Sequence, residues 1–125
     1  MLHLNHDNSH QRAQVLTKAA LRAADSLGLP ARKLAQVLGV SEPSVSRMKK
    51  GAYAIEDGSK SFELAALFVR VFRSLDAIVG GDAMTARQWL MAENTALGGR
   101  PIDRITTITG LADVAAYLDA RRAVV

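Results

Sequence analysis

Apolar residues recur along most of this chain at the three- and four-residue spacing of a helix face, and glycine, proline or short polar runs separate the periodic stretches. The first stretch predicts a helix over Gln11 to Leu27, with Val15, Leu16, Ala19, Ala20, Ala23 and Leu27 on one face and a stop at Gly28 and Pro30. Residues 1–10 are polar and read as a frayed, flexible tail. Ala31 to Leu38 makes a short second helix. In the stretch LAQVLGVSEPSVSRMKKG the pattern breaks at Gly39 and restarts almost at once. Ser41 is a good N-cap for a third helix reaching about Lys50, and Pro43 is tolerated because first-turn amides lack helical partners. Gly51 ends it.

Gly39 can adopt the left-handed conformation that terminates a helix, so the second and third helices must cross steeply, as a helix-turn-helix does. Leu34 and Leu38 point into the angle, the small Ala35 permits close approach, and Val40, Val45 and Met48 close the core. An ordinary helical hairpin with a solvated basic rim would satisfy the same spacing, so the charge distribution has to decide between them.

After a loop GAYAIEDGSK, where a soft domain boundary falls, the helix Ser61 to Val79 carries apolar residues around most of its circumference. Such a helix is either the central helix of its unit or part of a homodimer interface; both together are expected here, since helix-turn-helix proteins commonly read two half-sites as symmetric pairs. A turn at Gly80 and Gly81 leads to Asp82 as N-cap of a helix over Ala83 to Met91, and Pro101 starts another with Ile102 and Ile105 on its apolar side. A last helix, Leu111 to Arg122, places Leu111, Val114, Ala115 and Leu118 on one face. The expected fold is all-α: a helix-turn-helix domain over residues 11–58, then a small helical domain over residues 59–125.

Composition narrows the class. With 125 residues, 49% of them hydrophobic, the chain holds a modest core and is too small for a large enzyme. It has no cysteine, hence no disulfide framework. The N-terminus lacks the apolar run of a signal peptide, and the chain reads as a cytoplasmic protein without a membrane span.

The net charge of +4 is localised. Residues 31–51 hold Arg32, Lys33, Arg47, Lys49 and Lys50 against Glu42, whereas residues 82–125 carry five basic and five acidic groups. One region asks for an anionic partner and the other does not. With Val45 and Met48 inward, a rotation of about 100° per residue leaves Pro43, Ser46, Arg47 and Lys50 on the outer face of the third helix, aimed at the major groove of double-stranded DNA. Ser41 and Ser44 sit in its first turn, where hydroxyls and free amides suit phosphate oxygens, and Lys49 flanks the core toward the backbone. Arg47 is the first choice for a base edge, because a guanidinium takes both acceptors of guanine.

The motif resembles that of the Xre-type bacterial regulators along its full length. The set Trp89, Leu90, Asn94, Leu97, Gly98, Gly99 and Pro101, followed by GLADVAAYLDARR, resembles the toxin-binding domain of the MbcA/ParS/Xre antitoxins. Taken alone the segment would be a structural cap, because a Trp packed on a loop is more often core than binding site. The resemblance implies a dimeric antitoxin that masks a RES-domain toxin, which consumes or transfers parts of NAD, and that represses their shared operon by binding operator DNA. It implies toxin contacts at Trp89, Asn94, Leu97, Gly98, Gly99 and Pro101, and at Arg121 and Arg122. Where the family loop usually continues to a Pro-Leu pair, this chain has Pro101 followed by Ile102. A stand-alone dimeric helix-turn-helix regulator without a toxin is the alternative.

Other chemistry is sparse. His3, His6 and His10 with Asp7 have a spacing that could wrap a metal, but no fourth ordered ligand accompanies them, so no metal site and no cofactor are expected. The folded part holds no histidine to serve as a general base, and an enzyme is not expected.

Overall fold

The computed structural model describes the backbone of residues 2–124 and the side chains of residues 8–123. Among these residues the chain forms seven α-helices and no strand. They are α1 (Leu2–Ser26), α2 (Ala31–Leu38), α3 (Glu42–Lys49), α4 (Lys60–Ile78), α5 (Ala83–Met91), α6 (Pro101–Arg104) and α7 (Ile108–Val124), with a 3-10 turn at Thr95–Leu97. No helix of the described residues is long and apolar enough to cross a membrane.

The helix-turn-helix forms as its local signals require. Gly39 takes φ 68° and ψ 35°, and its amide donates to the Ala35 carbonyl, closing α2. Ser41 then accepts from the Ser44 amide at 3.2 Å and caps α3. Leu34, Ala35, Leu38, Val45 and Met48 are all buried between the two helices and the rest of the core.

Two expectations about α1 change. The helix begins at Leu2, well before Gln11, because no glycine or proline interrupts the chain before Gly28 and polar side chains are tolerated on an exposed helix surface. Val15 is not on the buried face: it is 69% exposed. At about 100° per residue it lies far around the helix from Ala13, Thr17, Ala20 and Ala24, the line that touches the core. Thr17 is buried because its hydroxyl donates to the Ala13 carbonyl at 2.6 Å and accepts from the Ile55 amide at 2.9 Å. That bond anchors the loop before α4 and satisfies a backbone group that would otherwise be buried unpaired.

The all-round apolar coat of α4 is answered within the chain. The helix packs on α1, α2 and α7, burying Leu64, Ala65, Phe68, Val69, Val71 and Leu75. Central position in the fold accounts for these buried residues, while Ala66 stays exposed and Phe62, Leu67, Phe72 and Ile78 are half-buried. The buried residues form one contiguous cluster from Ala20 to Leu118, with α4 shared between the two halves.

Polar staples fix α7 on this frame. Asp119 accepts from Arg70 Nε at 2.7 Å and from the buried Ser74 hydroxyl at 2.8 Å, joining α7 to α4. These donors, first Arg70 and then Ser74, with Arg122 adding a favourable charge, hold the Asp119 carboxyl below the usual carboxylate range. At the start of α7 the Gly110 amide donates to the Thr107 hydroxyl at 3.0 Å, and a side chain at Gly110 would collide with the Arg104 carbonyl.

Candidate functional site

The exposed face of α3 carries the side chains expected to meet DNA. Pro43, Ser46, Arg47, Lys49 and Lys50 are all exposed, while Val45 and Met48 are 0% and 3% exposed on the opposite side. Ser44 is half-buried. Its hydroxyl lies 2.9 Å from that of Ser41 and accepts from Arg47 Nη2 at 3.1 Å, so the guanidinium is folded back along the helix over its first turn. Glu42 in the first turn, and Arg47 and Lys49 in the last, match the helix dipole. One member of the basic stretch turns elsewhere: Lys33 is within 3.8 Å of Asp103 at α6, which leaves Arg47, Lys49 and Lys50 as the cations that α3 itself exposes.

The second candidate surface is built around the loop after α5. Asn94 closes it: its side-chain oxygen accepts from the Leu97 amide at 3.2 Å, while its backbone exchanges two 3.2 Å bonds with Gly99. The ring so formed turns at Gly98, φ 72°, and Gly99, φ 157°, both in the region that disfavours side chains. A Cβ at either glycine would meet nothing within 4 Å, so their outward side is open. Leu97 is 7% exposed and Pro101 is buried, and these two hold the loop onto the core rather than presenting side chains.

Trp89 and Arg121 meet through a residue the sequence motif does not single out. The Trp89 and Tyr117 rings stack at 6.2 Å between centroids, and the Arg121 guanidinium lies 5.6 Å from the Tyr117 centroid with Nη1 donating to its hydroxyl at 3.2 Å. Tyr117 also lines a depression of about 660 Å³ with Thr95, Ala96, Gly98, Arg104 and Asp113. Gly98, Trp89 and Arg121 thus cluster around Tyr117. Arg122 does not: it lies with Asp119 on the other flank of α7. The signal that could have found Tyr117 was its place one helical turn before Arg121.

Among the described residues no cluster of His, Asp or Glu could hold a metal ion. His10 is exposed, while the side chains of His3, His6 and Asp7 lie outside the described residues.

Comparison with known families agrees with this arrangement. Residues 6–70 match the antitoxin Xre-like helix-turn-helix domain, and residues 74–123 match the antitoxin Xre/MbcA/ParS C-terminal toxin-binding domain. The two matches meet inside α4, the helix on which both halves pack. None of the curated proteins compared matches the chain. Both families are non-enzymatic regulators. With a capped, basic helix-turn-helix at one end and the glycine loop with its aromatic surface at the other, this chain belongs to the Xre-type antitoxins, in which a DNA-binding half is joined to a toxin-binding half.

Proposed function

We propose that this antitoxin neutralises a RES-domain toxin that consumes NAD, and that it represses its own operon as a homodimer in the cytoplasm. The observation that carries the toxin reading is the surface that Gly98, Trp89 and Arg121 form around Tyr117. Rigid aromatic side chains beside a guanidinium are the residue types that dominate interface energetics, and bare glycine backbone lets a partner approach closely. Asn94, Leu97 and Pro101 position the loop from behind.

The dimer reading rests on the size of the DNA-contacting element. An eight-residue α3 is about 12 Å long and covers only a few base pairs, so a specific operator calls for two such helices on two half-sites. Ser41 and Ser44 would approach phosphates, Pro43 and Ser46 would line the groove, Arg47 would leave Ser44 for a guanine edge, and Lys49 and Lys50 would neutralise phosphates.

Co-expression with a RES-domain toxin, with cellular NAD as readout, tests the proposal. The wild-type antitoxin should preserve NAD and co-purify with the toxin. Undiminished NAD loss despite abundant, folded antitoxin would exclude a RES-domain partner.

A further inference from the structure

We propose that the groove floored by α4 and walled by α1 and α7 is a docking site for an acidic amphipathic helix of a further protein partner, separate from both the DNA face and the glycine-loop surface. The groove measures about 870 Å³, and its apolar surface comes from Val15, Leu16, Phe62, Ala66 and Val69. Val15 is the most exposed large hydrophobic side chain among the described residues, and Ala66 is exposed beside it. Solvated apolar positions that line up along a groove mark an interaction surface more often than isolated ones do.

Shape and charge select the occupant. The lining runs from Asn8 to Ala19 on α1 and from Phe62 to Ser74 on α4, a length of about 16–18 Å at 1.5 Å per residue, which matches a helix of about three turns. Around the apolar strip stand four arginines: Arg12 is paired with Asp57 at 3.1 Å and lies over the Phe62 ring, Arg70 is paired with Asp119, and Arg73 and Arg122 supply the remaining positive charge of the rim. A second copy of this chain would bring the same arginine rim against itself, whereas a helix with carboxylates flanking an apolar stripe complements both parts. Toxin contact at the glycine loop would not occupy the groove. On α7 the direction of Asp119 and Arg122 lies about 140° around the helix from that of Asp113, Ala116 and Tyr117.

The probe is a fluorescent, about three-turn helical peptide with leucines on one face and glutamates beside them, together with a counterpart carrying lysines for the glutamates, each titrated against the full chain. The acidic peptide should bind and weaken with added salt, and the basic one should not bind. Exchanging Arg73→Glu and Arg122→Glu together should weaken binding by about tenfold while circular dichroism and operator binding stay unchanged. Should that pair disturb the fold, Arg73→Gln with Arg122→Gln keeps the test intact. Equal binding of the two peptides, or binding of neither, overturns the proposal. So does a wild-type dimer in sedimentation that Val15→Glu converts to monomer, since a second copy would then be the occupant.

Discussion

Arg87 in α5 reaches back across the fold to the end of α1, where its Nε donates to the Ser26 carbonyl at 2.9 Å and its Nη2 to the Asp25 carbonyl at 3.1 Å. A cation at a helix C-terminus satisfies carbonyls that have no helical partner and complements the dipole there. Because α5 lies in the toxin-binding half and α1 in the DNA-binding half, the contact ties the two halves together. Arg87→Ala should lower stability by about 1–2 kcal/mol, read as a reduced midpoint in urea, with operator contacts unaltered. The same reasoning predicts that a fragment over residues 59–125 will not fold alone. It would expose the faces of Leu64, Ala65 and Phe68 that α1 and α2 cover, and its circular dichroism should show lost helix.

Gly110 has no room for a side chain, since a Cβ would strike the Arg104 carbonyl and lie 2.9 Å from the Thr107 hydroxyl. Gly110→Ala should destabilise the chain by about 1–3 kcal/mol despite alanine's better helix propensity. A thermal melt no lower than wild type would show that the turn into α7 can shift to make space.

On the DNA face, Arg47→Ala should weaken operator binding by about 1–3 kcal/mol and relax preference at one base pair. Lys49→Ala and Lys50→Ala should each reduce the slope of log affinity against log salt by about 0.9. Filter-binding titrations at several salt concentrations separate these effects, and an Arg47→Ala variant with unchanged affinity and specificity would remove the base-reading assignment.

At the loop, Gly98→Val should abolish toxin protection by two routes: a β-branched residue at φ 72° costs at least about 1 kcal/mol, and its side chain would project into the open space proposed for the toxin. Tyr117→Ala should weaken protection with the helix content retained. Leu97→Asp should instead lower stability, because that side chain is core and a buried carboxylate without a partner is costly. Protection assays run beside circular dichroism distinguish a lost contact from a lost fold.

The depressed Asp119 carboxyl makes α7 docking dependent on pH. A carboxylate whose folded pKa lies below its unfolded value of about 3.9 contributes stability that is complete above that value and is lost as pH falls through the folded one. Acid titration of wild type and Asp119→Asn should therefore show the stability gap closing below about pH 4. A gap that persists into stronger acid would mean that shape, and not charge, makes the Arg70 and Ser74 contacts matter.

The helix-turn-helix was legible in the residues because its determinants are local. Gly39 permits the left-handed turn, Ser41 caps the helix that follows, and Val45 and Met48 fall one turn apart. The same is true of α5 behind its N-cap Asp82. Tertiary structure alone decided the rest. Periodicity says that a helix has an apolar face but not which neighbour covers it, so α4 was expected to be both a central helix and a dimer surface, and only the packing of α1, α2 and α7 shows which of its residues the chain itself buries. Val15 had the right spacing and the wrong side, and Leu97 belonged to a binding motif yet points into the core. Lys33 counted toward a basic face until Asp103 turned it away, and Tyr117, one turn from Arg121 on the same helix, became part of a surface only when α5 brought Trp89 onto its ring. Each of these depends on contacts between residues far apart in the chain, and one-dimensional spacing carries no record of such pairings.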